Sequence, residues 1–320
     1  MNASPPPQDP WAQVPPGSLT AWKLAFRLHT LSAAAVPVLV AGALSLWLAP
    51  PAEGLFWLVL LGTLLVQIGA NLTDEYADHD ATGSAHKFPA PHKVIVRGLL
   101  TPAQVKRGAV VSFGLATLVG GYLVWLSGWP LLVLCLVAVF AAWAYSAGPF
   151  PLGDYALGEV LVFVMMGPVI VLGALQVLTQ SWPMVGLWFS LPVGALVTNI
   201  LVLNKLRDET EDRQNQRRTL VTLLGNRPMR LGYWLLQIVA YGAIPLLHLL
   251  PLAHPYRMGV DLGGWQWLPW LSLPMAVRLA WGVWRAQKGP EWHQLLRATS
   301  GLHMLYGLLL TLAIILAKVL

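Results

Sequence analysis

Carboxylates crowd two short stretches of a chain that is otherwise poor in charge. The first reads Asn71-Leu-Thr-Asp74-Glu75-Tyr-Ala-Asp78-His-Asp80, and the second Asn204-Lys-Leu-Arg207-Asp208-Glu209-Thr-Glu211-Asp212. Together they hold eight of the fourteen acidic residues in 320 positions. Each follows a long apolar run, where a carboxylate is costly unless something offsets its charge. Residues three or four apart share a helix face, so Asp74 with Asp78, Glu75 with Asp78, and Asp208 with Asp212 project together. Asn204 extends the second stripe one turn earlier. Like charges so spaced cost an isolated helix roughly 0.2–0.5 kcal/mol per pair, and desolvation adds to that. A hard cation with oxygen ligands offsets the cost, and Mg2+ typically takes one or two carboxylates together with phosphate oxygens.

Basic residues accompany both stretches. Arg207 adjoins Asp208, Arg217 and Arg218 follow Asp212, and Lys87, Lys93 and Arg97 follow the first cluster. Carboxylates for a metal, interleaved with Arg and Lys for direct oxygen contacts, compose a diphosphate site. In a membrane such a ligand carries a lipid tail, and the common lipid diphosphates are polyprenyl. The plainer alternative is a pair of solvated loops of mixed charge, which two clusters at corresponding helix ends disfavour.

The elements that must position these groups are membrane helices. The chain is 56% hydrophobic and 11% charged, with a mean hydropathy of +0.61, whereas soluble domains carry about 25% charged residues. An all-α integral membrane protein follows, and 16 Trp fit its interfaces. The lone Cys135 excludes an internal disulfide and reads as helix packing. Spans need about 20 mostly apolar residues. Nine are expected, near 22–49, 54–78, 102–126, 129–147, 155–178, 182–206, 228–250, 265–285 and 294–319. Residues 1–19 are Pro-rich and polar, and read as a disordered cytoplasmic tail ahead of a single transmembrane domain over 20–320, with no cleavable signal peptide.

With the N-terminus cytoplasmic and the C-terminus outside, eighteen of the twenty Lys and Arg residues fall at cytoplasmic ends. The net charge of +6 is therefore loop charge rather than a nucleic-acid surface. Both acidic clusters then lie on the cytoplasmic face, in loops after the second and sixth helices. Their matching positions allow an ancient duplication of a three-helix unit.

The first cluster resembles the Asn-Asp-x-x-Asp-type motif of the UbiA superfamily of intramembrane prenyltransferases, and the second resembles that superfamily's Asp-x-x-x-Asp motif. Asn204-Lys-Leu-Arg207-Asp208, Asp212-Arg213 and Arg217-Arg218-Thr219-Leu220 look most like the branch that prenylates 1,4-dihydroxy-2-naphthoate in menaquinone synthesis. Arg27-Leu-His-Thr30-Leu, and Tyr145-Ser-Ala-Gly-Pro149 with Gly158-Glu159, extend the likeness over residues 22–225. Three departures stand out. Glu75 occupies the place of the first Asp, Thr82 that of a more distant acid, and Gln216-Arg217 that of Gly-Lys.

The resemblance implies a UbiA-like bundle in the bacterial inner membrane, with Mg2+ held by Asp74, Glu75 and Asp78 on one side and Asp208 and Asp212 on the other. Lys93, Arg97, Arg207 and Arg217 would neutralise the polyprenyl diphosphate, while Asn71 and Asn204 orient metal-bound waters or the acceptor. Asp78, Asp208 and Asp212 would carry the catalysis. The allylic cation left by ionisation would be attacked by the aromatic acceptor, with loss of its carboxylate and a proton. Tyr145 could line the acceptor pocket or anchor at the interface. The same superfamily includes other acceptors: 4-hydroxybenzoate, homogentisate, a tetrapyrrole or a lipid. A transporter is the rival class, but carriers usually place their site near the bilayer midplane.

Overall fold

The computed structural model describes residues 14–50, 52–82, 93–148, 150–247, 259–287 and 291–320. Every regular element among them is helical, apart from a single bridge between Tyr155 and Arg218. In chain order the α-helices are α1 (Leu19–Ala25), α2 (Ser32–Leu48), α3 (Glu53–Thr82), α4 (Pro102–Ser127), α5 (Trp129–Ala144), α6 (Gly158–Val164), α7 (Ile170–Thr179), α8 (Met184–Gln214), α9 (Leu220–Leu224), α10 (Asn226–Leu247), α11 (Leu273–Arg285) and α12 (Glu291–Val319). A π-helical turn over Met165–Val169 joins α6 to α7 around Pro168, which has no N–H to give an α-helical ladder. A 3-10 segment, Gly263–Ser272, leads into α11.

Seven helical segments among the described residues are long and apolar enough to cross a membrane. Two of the nine expected spans differ: α5 has 16 residues, and α11 has 13 behind its 3-10 lead-in. The expected first helix is also broken. Ser18 caps α1 by accepting the Ala21 N–H, and Arg27 then takes a left-handed conformation, φ 52, before the Leu28–Leu48 span begins. Of the expected N-terminal tail, residues 1–13 lie outside the described residues, and the Gly17 N–H donates to the Leu99 carbonyl at 2.8 Å.

The acidic clusters stand on helix, not on the expected loops. The α3 helix runs through Asp80 to Thr82, and α8 runs through Asp212 to Gln214. Neither cluster contains Gly or Pro to stop the helix. An ion pair of Glu209 with Arg213, at 3.1 Å, adds support across one turn of α8.

The α8 helix is the axis of the bundle. Its most apolar window is 78% buried, against 22% for α4, so α8 meets protein where α4 meets lipid. Val193 and Leu196 of α8 join Val36 and Leu44 of α2 and Leu302 and Leu310 of α12 in the main core. The crossing of α8 with the π turn depends on two glycines. A Cβ at Gly194 would lie 2.9 Å from the Phe163 carbonyl, and one at Gly167 2.9 Å from that of Ser190. Small residues at such crossings let membrane helices approach closely. Leu118, Trp125, Trp129 and Phe140 remain exposed on α4 and α5 as lipid-facing surface.

Gly194→Leu should therefore destabilise the fold by about 1–3 kcal/mol through overpacking. The measurement is the thermal unfolding midpoint in detergent. An unchanged midpoint would mean the two helices are free to separate there.

Candidate active site

A cavity of about 1120 Å3 opens between α2, α3, α4, α5, α6–α7 and α8. Its polar end carries Asn71, Asp74 and Asp78 of α3, Lys93, Tyr145 and Ser146, then Asn204, Arg207, Asp208 and Asp212 of α8, and Arg217. The rest of its wall is largely apolar or small: Val59 and Gly62 of α3, Ala116, Gly120 and Gly121 of α4, Leu131 and Val139 of α5, and Gly173 of α7. The two acid-bearing helix ends, 130 residues apart in the chain, thus face one space.

Each of the four aspartates there is met by a cation. Asp74 lies 2.6 Å from the Arg27 guanidinium and accepts the Ser146 hydroxyl at 3.0 Å. The left-handed turn at Arg27 is what swings this side chain from the head of the first span to α3. Asp78 accepts from the Lys93 ammonium and, at 2.9 Å, from Arg217. Asp208 takes the planar fork of neighbouring Arg207 through two bonds of 2.8 and 2.7 Å. Asp212 is buried, 3.5 Å from Arg217 and 3.5 Å from the Thr219 hydroxyl. Removing one partner of such a buried pair is costly because the other charge is left uncompensated.

Arg217 joins the two acidic helices directly. It faces Asp78 of α3, Asp212 of α8 and, at 3.2 Å, Asp154 of the α5–α6 connection. Burial opposes its charge, but Asp154, Asp78 and Asp212 outweigh that and push its pKa above the usual arginine value. The phenol of Tyr145 is also pushed up, first by burial and then by the charges of Asp74, Glu159, Asp154 and Asp212, so it stays protonated.

A model of the UbiA prenyltransferase family matches residues 34–302. The chain belongs to the UbiA prenyltransferase family. Among its relatives, the 1,4-dihydroxy-2-naphthoate octaprenyltransferase of Mycobacterium tuberculosis is 33% identical over 293 residues, covering 90% of this chain and 94% of that protein. The Bacillus subtilis protein of the same name is 28% identical over 301 residues, with 92% of each chain covered. A UbiA homologue from Aeropyrum pernix has the same fold, with a TM-score of 0.65 at 14% identity over 92% of this chain and 99% of that one. Another, from Archaeoglobus fulgidus and bound to GPP and Mg2+, gives 0.61 at 12% identity over 92% and 99%. The family makes this integral membrane protein an enzyme, a prenyl-group transferase.

Within this UbiA-family cavity the residues expected from sequence do not all stand where expected. Glu75 and Arg97 are not among its lining residues. Glu75 is 1% exposed and accepts the Ile95 N–H at 3.1 Å, with Arg27 3.8 Å away. Its extra methylene carries the carboxylate to the backbone of the 93–100 segment, which Val94, Ile95 and Leu100 seal against Leu72 and Ala21. Asn71 lines the cavity, but its amide is largely committed. It donates to the Phe26 carbonyl at 2.9 Å and the Thr30 hydroxyl at 3.0 Å, and accepts from Gln67 at 3.1 Å. Lys87 lies outside the described residues. Sequence reasoning missed Arg27, Ser146, Asp154 and Lys205 as site groups. Arg27 and Lys205 stood inside the quoted motifs but without a role, and Asp154 lies far in sequence from either cluster.

Among the described residues no three acidic, His or Cys side chains converge as a metal-holding group. The donor set nevertheless fits Mg2+. Asp74, Asp78, Asp208 and Asp212 are hard oxygen donors lining one cavity, and Mg2+ needs only one or two carboxylates when phosphate supplies the rest. Lys93, Arg207 and Arg217, now paired with these acids, are the groups that can turn to an anion.

Glu75→Ala should loosen the 93–100 segment by about 1–3 kcal/mol, the cost of an orphaned buried amide. Hydrogen exchange at Ile95 would report it as lost protection, with the Mg2+ dependence of activity unmoved. A shifted Mg2+ dependence with normal protection would instead place Glu75 among the metal ligands.

Proposed function

We propose that this enzyme transfers a polyprenyl group from its diphosphate to an aromatic acceptor, 1,4-dihydroxy-2-naphthoate, at the cytoplasmic face of a bacterial inner membrane. One observation carries the reading: acids and cations from two distant helix ends line the mouth of one cavity whose remaining wall is largely apolar. The names of the relatives support the acceptor, and the Lys and Arg distribution supports the orientation, N-terminus inside.

Asp74, Asp78, Asp208 and Asp212 would hold Mg2+, which when bound supplies Lewis-acid stabilisation of the departing diphosphate. Lys93, Arg207 and Arg217 neutralise the remaining oxygens of the leaving group, an electrostatic contribution concentrated where charge develops. Arg27 stays beside Asp74 and keeps its carboxylate aimed. The isoprenoid chain lies along α3, α4, α5 and α7, whose Val59, Gly120, Val139 and Gly173 line the cavity. These walls exclude water from the allylic carbon. The C1–O bond breaks with its electrons going to diphosphate, the acceptor ring forms the new C–C bond, and the ring carboxylate departs as carbon dioxide. Tyr145, kept neutral, presents its ring and hydroxyl to the acceptor.

The test is an assay of purified enzyme with Mg2+, dihydroxynaphthoate and several prenyl diphosphates. Wild type should release diphosphate and form the prenylated ring, while Asp208→Asn should lose at least about a hundredfold in rate, the scale of one electrostatic group in such chemistry. Absence of product with this acceptor overturns the acceptor assignment, and absence with every aromatic acceptor overturns the function.

Gly120 supplies a separate check on the tunnel, since it shares a face of α4 with the lining residues Ala116, Leu123 and Val124, and a Cβ there would meet only the lining Cys135, at 3.9 Å. It stands about 27 Å along α4 from Pro102, at roughly 1.5 Å per residue. Gly120→Trp should therefore shift preference toward shorter prenyl diphosphates while sparing turnover of the shortest. Equal turnover of all chain lengths would place the chain elsewhere.

A further inference from the structure

Asp154 belongs to neither acidic cluster and is not among the cavity's lining residues, yet it is one of the three carboxylates on Arg217. It ends a short 3-10 turn, Leu152–Asp154, between α5 and α6. That turn is tied on four sides. The Gly153 N–H donates to the Tyr145 carbonyl at 2.8 Å, and the Lys205 ammonium donates to the Gly153 carbonyl at 2.9 Å. The Arg218 N–H donates to the Asp154 carbonyl at 2.8 Å, and Arg217 Nε lies 3.2 Å from the Asp154 carboxylate. A Cβ at Gly153 would come within 2.9 Å of the Tyr145 carbonyl, so the turn is seated directly on that residue. On the other side of the bridge, Gln216 is left-handed, φ 56, a costly backbone for a residue with a side chain. Backbone bonds of Arg217 to Asp212 and of Arg218 to Asp154 hold it there.

The other two carboxylates on Arg217, Asp78 and Asp212, both line the cavity and are proposed metal ligands. Once they turn toward Mg2+ and diphosphate, they no longer fix the guanidinium. We propose that Asp154 is the positioning residue that keeps Arg217 aimed at the diphosphate after Asp78 and Asp212 have been given over to the metal. It touches neither substrate nor metal and acts only through Arg217. The inference rests on the function proposed above.

The experiment measures Mg2+-dependent binding of inorganic pyrophosphate by calorimetry, beside steady-state kinetics, for wild type, Asp154→Asn, Asp154→Glu, Arg217→Gln and the Asp154→Asn/Arg217→Gln double variant. Asp154→Asn keeps the backbone acceptor and the size of the side chain. It should weaken pyrophosphate binding about tenfold, the loss of one charge-assisted contact. KM for the prenyl diphosphate should rise similarly, with little change in KM for the acceptor. Asp154→Glu should restore most of the affinity, and the double variant should bind no worse than Arg217→Gln alone. Wild-type affinity in Asp154→Asn overturns the proposal, as does a further tenfold loss in the double variant. So does an equal loss of affinity for both substrates with a lowered unfolding midpoint, which marks a merely structural role. Failure of wild type itself to bind pyrophosphate with Mg2+ would instead bring down the underlying function, and this inference with it.

Discussion

Charge compensation in a weakly polar medium governs this structure. A carboxylate at the end of a membrane helix must find a cation or lose its charge, and here each of the four candidate metal-holding aspartates faces Arg or Lys. The partners come from separate parts of the chain: Arg27 from the turn ahead of the first span, Lys93 from the segment after α3, Arg207 from α8 itself, and Arg217 from the turn beyond it. The pairs therefore do two things together. They tie α1, α3, α5–α6 and α8 at one end of the bundle, and they keep cations in reserve for an anion.

The two ends of the cavity obey different physics. At the polar end, order comes from directional bonds between charged groups whose partners can be exchanged. Along the rest of the wall, shape comes from glycines and alanines on helices that otherwise face lipid. The firm part lies behind both, where α8 packs against α2, α10 and α12 and buried tyrosines find partners, as Tyr306 does on the Ala240 carbonyl at 2.7 Å.

Much of this could be read from the residues in order. The apolar runs placed the spans, and the acid spacing placed the polar end of the cavity, because both signals are local and periodic. Hydropathy missed where the helices stop, since polar turns of α3 and α8 continue as helix past the apolar stretch once ion pairs support them. Asn71 and Glu75 carried the right residue types at the right spacing but are occupied in joining α3 to its neighbours. Only the packing of Phe26, Thr30 and Ile95 against α3 reveals that. Arg27 and Asp154 were opaque for the opposite reason: their importance comes entirely from residues distant in sequence, brought close by a left-handed turn in one case and a 3-10 turn in the other.

The contact of Gly194 with the π turn has a mechanical consequence. Asp212 lies eighteen residues farther along the same unbroken helix, a lever of roughly 27 Å at 1.5 Å per residue. A tilt of about 3° at the glycine fulcrum would sweep the carboxylate by roughly 1.4 Å, enough to spoil alignment of reacting groups. The tilt of a membrane helix is set by its packing against neighbouring helices. Two glycines deep in the bundle thus hold the aim of a carboxylate they never touch.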